Sequence, residues 1–219
     1  GVTIAPFSGI HSDGIRLRFS GGYGGYSYKS FQRAPNLVSQ AFDVKTNYAE
    51  ALVGYQHKVG IVTAKVFVGA AQIDHSIQPG DPGNRVSGSQ TGVKGVVELW
   101  ADLSPLWYGS LDVAYTTAHK TRSGRLRLGY RLQDDLSVGL EARANHDAQA
   151  DFKVSDQEDA VFRQEPLDYV LLGAFARYEW PTGEISASAG LNAAELETPV
   201  FETDDDPTVY GTLNMLFRF

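Results

Sequence analysis

The sequence predicts an all-β protein, a transmembrane antiparallel up-and-down β-barrel, on three observations. Apolar and polar residues alternate with a period of two along most of the chain. The connections between the predicted strands are alternately short and long, and aromatic residues gather near strand ends. A bacterial outer-membrane barrel combines these features, because its strands face lipid and lumen in turn and its turns are short at one end only.

The composition narrows the class of protein further. The 219 residues carry 19 Lys and Arg against 26 Asp and Glu, and this net charge of −7 argues against nucleic-acid binding. The absence of Cys excludes disulfides, cysteine nucleophiles and cysteine–zinc sites. No apolar run approaches the roughly 18–20 residues that a transmembrane helix needs. This test does not detect the strands of a membrane barrel, because their apolar and polar residues alternate.

The clearest predicted hairpin alternates on both of its strands. In 125–132 the even positions are apolar and the odd ones are basic or Gly, and 136–144 follows the same rule after a turn of about three residues. The same pattern predicts eleven strands in a single domain, residues 1–219, without a helix. The predicted strands cover residues 1–8, 15–28, 46–57, 61–74, 90–102, 107–117, 122–132, 136–146, 168–179, 184–195 and 208–219.

Loop lengths and strand parity predict a twelfth strand. The connections at 10–14, 58–60, 104–106, 133–135 and 181–183 are short, and those at 29–45, 75–89, 147–167 and 196–207 are long. A bacterial barrel has an even number of strands with short periplasmic turns. Counting back from Phe219 at the periplasmic end, segment 1–8 runs inward, so we expect about twelve strands, with the first upstream of Gly1. A ten-stranded barrel is the alternative.

The period of two assigns the polar residues of the strands to the lumen and the apolar ones to lipid. In a soluble sandwich the apolar face would instead be the core. Gly residues on the polar face, aromatics at the short-turn end and the final Phe219 favour the barrel. The lumen-lining candidates are Arg16, Arg18, Glu50, Lys65, Lys94, Glu98, Asp112, Arg125, Arg127, Arg131, Glu141, Arg143, Arg177 and Arg218; the predicted membrane girdle is Trp100, Trp107, Tyr130, Tyr178, Trp180, Phe217 and Phe219.

Two interpretations of the lumen stay open. About ten basic and four acidic residues point inward, which suits a channel that attracts anions or binds a sugar chain, with Tyr26 and Tyr28 as aromatic contacts. Alternatively, the four carboxylates pair with neighbouring Arg and Lys and close the lumen. A barrel of about 8 strands is filled by side chains and one of about 16–18 leaves a channel, so twelve strands do not decide between them.

The acidic residues that give the chain its negative net charge lie in the predicted external loops at 147–167 and 196–207. Asp204, Asp205 and Asp206 are weak Ca²⁺ candidates, because no full ligand spacing accompanies them, and we predict no metal or cofactor. His146 near Ser155 or Asp147 is the best catalytic dyad the chain offers, but no spacing motif supports it. We therefore predict no catalytic residues and no enzyme activity.

Several segments resemble the cellulose biosynthesis protein BcsS family. They are DGIRLRFSGGYG at 13–24 with Tyr26 and Tyr28 after it, VGYQ at 53–56 followed by TAKVFVG at 63–69, ELW at 98–100, GRLRLGYR at 124–131 and LSVGLE at 136–141. The resemblance implies an outer-membrane barrel of a Gram-negative bacterium that is an accessory to cellulose production, and it too implies an upstream strand. The implied partners are the lipid bilayer and, as further candidates, a polysaccharide or envelope proteins. A small, porin-like pore that prefers anions, and a structural barrel presenting acidic loops to a partner, are the alternatives.

Overall fold

The computed structural model of the chain describes residues 1–33, 37–81, 87–146, 168–192 and 209–219. The sequence predicts no helix, and within these ranges the structure has a single 3-10 turn, Ala118–Lys120. No helix there has the length and apolar character required to cross a bilayer. The strands are β1 (Val2–Ile4), β2 (Gly14–Arg33), β3 (Leu37–Val59), β4 (Val62–Gln78), β5 (Gly88–Asp102), β6 (Trp107–Thr116), β7 (Arg122–Arg131), β8 (Leu136–His146), β9 (Asp168–Trp180), β10 (Gly183–Asn192) and β11 (Val209–Arg218).

Backbone hydrogen bonds close these strands into one barrel. Each strand pairs antiparallel with its neighbour in sequence, and the ring closes where β1 pairs parallel with β11, with Val2 opposite Phe217. β1 and β11 both run toward the short-turn end, as expected from the sequence, so a ring of eleven strands closes with a parallel pair. The predicted all-β barrel and its eleven visible strands are therefore confirmed, and the ten-stranded alternative is wrong. The sheet is mixed at the seam, and the twelfth strand stays a prediction.

β2 and β3 are longer than expected, so the long loop predicted at 29–45 is wrong. The two strands stay paired as far as residues 33 and 37. In this extension of β3 apolar side chains point inward and charged ones point outward, the reverse of the arrangement in the rest of the strand. Phe42 and Val44 are buried, whereas Asp43 and Lys45 are exposed. Charged outward residues made the segment look like a loop, although backbone pairing between the strands continues. The reversal also marks where the outer surface of the barrel changes from apolar to polar.

Two further boundaries differ from the sequence prediction. β4 continues to Gln78, so the connection expected at 75–89 is shorter, and β1 ends at Ile4, which leaves residues 5–13 as a turn. The predicted acidic loops at 147–167 and 196–207 lie outside the described residues. The same holds for Asp147, Ser155, Asp204, Asp205, Asp206 and the side chain of His146.

The outer surface of the barrel is a belt of exposed apolar side chains. Its members come from nearly every strand and include Phe19, Val53, Val66, Val68, Val97, Leu99, Leu111, Val113, Leu126, Leu128, Leu140, Leu172 and Leu213. Single exposed apolar residues are ordinary on soluble proteins, but a continuous apolar surface of this extent is not.

Aromatic rings border this belt at its short-turn end. Trp107 contacts Tyr130 with ring centroids 5.0 Å apart, and Trp180 lies 6.3 Å from Tyr178 and 6.1 Å from Phe217. Phe219 extends the same exposed edge.

The girdle prediction for Trp100 is wrong. Its ring stacks on Tyr108 at 4.2 Å, and Tyr108 is almost completely buried inside the barrel. The reason is parity, because Leu99 faces outward and the next residue of a strand must face the other way.

Glycines on the inner face provide the space that lumen rings occupy. Gly129 and Gly139 lie opposite each other on β7 and β8. A Cβ at Gly139 would lie 2.1 Å from the carbonyl oxygen of Leu128 and 2.8 Å from the Phe175 ring. Because one obstacle is backbone, a side chain here cannot be accommodated by a rotamer change alone.

We expect Gly139→Ala to lower the free energy of unfolding by about 1–3 kcal/mol, the usual cost of overpacking a filled interior. Gly95→Ala is the matched control, since Gly95 is also a strand glycine but nothing lies within 4 Å of the place where its Cβ would be. Denaturant unfolding of the folded barrel measures both variants. Equal stabilities for the two would contradict the packing argument.

Candidate functional site

The lumen is the candidate site, and the structure brings all fourteen lumen-lining candidates to the inner face. Sequence analysis missed three further carboxylates there: Asp102, Glu179 and Glu184 bind lumen arginines. Parity would have found Glu179, because it follows Arg177 by two positions on β9. The inner face is therefore less basic than the sequence count suggested, with seven described carboxylates against ten basic residues.

The first ion-pair cluster spans β2 to β5. Glu50 and Glu98 each contact two cations, and Arg18 joins them by contacting both. Lys94 pairs with Glu50, and Lys65 Nζ lies 3.6 Å from Glu98 Oε2. The neighbouring strands place these side chains together, since Lys65 and Glu98 lie directly opposite in the β4–β5 register. Only 4% of the Glu50 side chain is exposed, so its charge depends on these partners.

The second cluster centres on Glu141 of β8, whose side chain has no exposed surface. Arg127 Nε donates to Glu141 Oε2 at 2.6 Å, and Arg143 binds the same carboxylate from the other side. Arg127 and Glu141 lie opposite each other on β7 and β8, so the register itself forms the pair. Beside them Arg125 donates to Asp112 at 2.6 and 2.8 Å. This cluster crosses the lumen, because Arg143 also donates to Thr212 Oγ1 of β11 at 3.1 Å.

The third cluster lies nearer the short-turn end. Arg177 donates to both oxygens of Glu179 at 2.6 Å and to Glu184 at 2.5 Å, and Arg218 contacts the same two carboxylates. The Arg177 guanidinium lies 4.8 Å above the Trp100 ring, so the aromatic side chain assigned to the girdle instead holds a lumen cation.

Arg131 and Tyr108 complete this end of the lumen. Arg131 binds Asp102 at 2.5 Å and lies 5.0 Å above the Tyr108 ring. The Tyr108 hydroxyl pairs with Ser137 Oγ at 2.9 Å. Cations, carboxylates and rings therefore contact one another at this end of the lumen, and Tyr108, Ser137 and Arg177 are buried there.

Arg16 is the exception among the ten basic residues. It is fully buried, and no described carboxylate lies within ion-pair distance of it. Its guanidinium instead donates to Ser8 Oγ at 2.9 Å and to the carbonyls of Gly9 at 3.2 Å and Ile10 at 3.1 Å. Gln56 donates to the Ile10 carbonyl as well, at 3.4 Å. These hydrogen bonds attach the turn at 5–13 to the inner faces of β2 and β3.

Asp13 anchors the other side of this turn. Its carboxylate accepts from the Lys58 backbone N–H at 2.8 Å and lies 2.6 Å from His57 Nδ1. The Lys58 N–H and, after it, the His57 ring hold the pKa of Asp13 below its ordinary value.

The arrangement as a whole suits a closed barrel better than an ion path. Nine of the ten basic residues pair with carboxylates, which leaves no continuous row of free cations along the described lumen. The described ranges also hold no group of three or more His, Asp or Glu suited to a metal ion. What the geometry provides is a polar interior whose ion pairs connect neighbouring strands.

Comparison with known protein families gives a match over most of the chain. The family model of cellulose biosynthesis protein BcsS matches residues 1–154, which include β1 to β8 and the first two ion-pair clusters except for Thr212. No curated protein and no solved structure matches the chain.

Removing the central carboxylate tests whether the ion pairs hold the barrel together. We expect Glu141→Gln to cost about 3–5 kcal/mol of unfolding free energy, because Arg127 and Arg143 remain buried without their counter-charge. Changing Arg127 to Gln as well restores part of the loss. Asp74→Asn, in an exposed pair with Asn47, is the control with little effect. A Glu141→Gln barrel as stable as the parent would show that the cluster is structurally dispensable.

The Asp13 contacts predict a pH dependence at the turn. A carboxyl whose folded pKa is depressed stabilises the fold above its unfolded pKa of about 3.9, and this stabilisation is lost as the pH falls through the folded value. Asp13→Asn should therefore be less stable than the parent at neutral pH and match it in strong acid. Thermal unfolding of both proteins across this range measures the difference, and a gap that persists below the folded pKa would contradict the assignment.

Proposed function

The chain belongs to the cellulose biosynthesis protein BcsS family, and from this premise we propose that it is a bacterial outer-membrane β-barrel that assists the production, export or surface organisation of cellulose. The family membership supplies the link to cellulose. The observation that carries the accessory role is the ion-paired lumen, because charged side chains that pair with one another inside the barrel reduce the space and the free polar groups that a conduit for a polysaccharide needs.

The outer surface supports a bilayer as the partner of the barrel. Lipid tails cover an apolar belt without cost, whereas water does not. Trp107, Tyr130, Tyr178 and Trp180 lie at one border of the belt, where amphipathic rings meet headgroups. The polar outward residues Asp43 and Lys45 of β3 lie beyond the opposite border, in the part that would extend outside the membrane.

A small anion-preferring pore is the competing function. It needs cations that face a water-filled path without counter-charges, and in the described lumen Arg125, Arg127 and Arg143 each pair with a carboxylate. This pairing favours the accessory role over the pore.

Deleting the gene is expected to lower the cellulose that cells produce or retain at their surface, measured by dye binding and by glucose release with cellulase. Returning the parent gene to the deletion strain should restore the amount of cellulose. The Gly95→Ala gene serves as the matched control, because it leaves the barrel intact. Unchanged cellulose in the deletion strain would refute the proposal.

Planar-bilayer recording separates the accessory role from the pore. We expect no steady current from the parent protein, and discrete conductance from an Arg127→Ser/Glu141→Ser variant, because that change removes two lumen-filling side chains at once. A steady anion-selective current from the parent would favour the pore, and Arg125→Ala or Arg127→Ala should then alter it. A parent protein that stays monodisperse in buffer without detergent would contradict the membrane placement itself.

A further inference from the structure

A polar patch on the outer surface crosses β2 to β5 where the apolar belt ends. The β2–β3 register places Tyr23 opposite Asn47. The next two registers place Asp74 of β4 opposite Asn47 on one side and opposite Ser89 of β5 on the other. Gln72 lies two positions before Asp74 and therefore points the same way. We call Tyr23, Asn47, Gln72, Asp74 and Ser89 the Tyr23 face.

The aromatic ring of this face is unusually accessible. Tyr23 follows the belt residue Phe19 by four positions, so it points outward as well. Its side chain is 74% exposed, compared with 44% for Tyr115, an outward tyrosine of β6. The outward neighbours of Tyr23 along β2 are Gly21 and Gly25, which have no side chains to cover the ring. The ring is therefore open to a ligand that packs flat against it.

The polar side chains beside Tyr23 are held in pairs. Asn47 Nδ2 donates to Asp74 Oδ2 at 3.4 Å, and Gln72 Nε2 donates to Ser89 Oγ at 2.8 Å. Each bond uses one N–H of an amide that offers two N–H donors and a carbonyl acceptor. The two amides and the carboxylate can therefore bind a ligand while they orient one another.

The charges around the Tyr23 face favour a neutral ligand. Among the described side chains of β2 to β5 in this part of the outer surface, the charged ones are Asp43, Lys45 and Asp74. Two carboxylates against one cation do not attract lipid phosphates or an acidic polymer, because binding surfaces are complementary in charge to their ligands. The ring and its polar neighbours therefore suit an uncharged molecule with many hydroxyl groups.

A glucan chain has this chemistry. The flat faces of a sugar ring carry C–H groups that pack on an aromatic ring, and the hydroxyls at its edge pair with amides and carboxylates. Neighbouring strands lie about 4.8 Å apart, so the row from Tyr23 to Ser89 spans about 14 Å, which is longer than one sugar ring. We propose that the Tyr23 face binds an extended, neutral β-linked glucan chain, with Tyr23 stacked on one of its sugar rings.

This inference rests on the proposed function, because family membership supplies the choice of β-linked glucose among neutral sugar chains. It also gives that function a place on the molecule. A chain bound to the Tyr23 face lies outside the barrel wall and needs no passage through the ion-paired lumen. The barrel then acts on cellulose by holding it at the cell surface.

Cellohexaose binding to the purified full chain in detergent tests the proposal, measured by isothermal titration calorimetry. We expect the parent to bind and Tyr23→Ala to bind about tenfold more weakly, because the aromatic contact is lost. Tyr23→Trp should retain binding, since indole is also a flat ring. Asn47→Ala should weaken binding about fivefold, the effect of one hydrogen bond. Tyr115→Ala, which removes an exposed tyrosine away from the face, is the matched control.

A parent protein that does not bind cellohexaose overturns the proposal. Binding that Tyr23→Ala leaves unchanged, or that Tyr115→Ala reduces equally, overturns it as well, because the sugar then binds elsewhere. Equal affinity for maltohexaose, whose α-linked chain is curved, contradicts the assignment of an extended chain. If Tyr23→Ala lowers the thermal midpoint in lipid vesicles and leaves cellohexaose affinity unchanged, the ring contacts lipid headgroups and the proposal is wrong.

The binding result is separate from the deletion phenotype. A deletion strain with normal cellulose would refute the proposed function even if the purified protein binds cellohexaose. A purified protein that does not bind cellohexaose would overturn this inference alone, since an accessory role in cellulose production does not require the Tyr23 face.

Discussion

The closed ring of backbone hydrogen bonds is the constraint on which the rest of this structure depends. Ten antiparallel pairings and one parallel pairing fix the direction in which every side chain points. Once the register is set, Arg127 must meet Glu141 and Lys65 must meet Glu98, because each pair occupies opposite positions on adjacent strands. The lumen chemistry is in this sense a consequence of strand pairing.

Burial and charge act together inside the ring. A cation or a carboxylate alone in this interior would be strongly unfavourable, and mutual pairing with further hydrogen bonds offsets that cost. The clusters join strands that are distant in sequence, as when Arg143 of β8 reaches Thr212 of β11. The same pairing that stabilises the wall from within also removes the free cations that an anion path would use.

The two ends of the barrel differ in structure. At the short-turn end, Arg16 and Gln56 bind the turn at 5–13, and aromatic rings border the outer belt. At the other end β2 and β3 extend further, and in the described part of the β3 extension the apolar side chains Phe42 and Val44 point inward and are buried. The proposed membrane placement accounts for the border between apolar and polar outer surface, because a bilayer covers only the apolar part.

The sequence alone determined the all-β class, the eleven strands and the inward direction of residues such as Arg125, Arg127 and Glu141. A period of two is a local property, so residues within one strand are enough to read it. Only the tertiary structure decided which charges pair, that Arg16 binds carbonyls rather than a carboxylate, and that β2 and β3 continue beyond the apolar belt. Those features depend on register between strands and on closure of the ring, and both join residues that local patterns cannot relate.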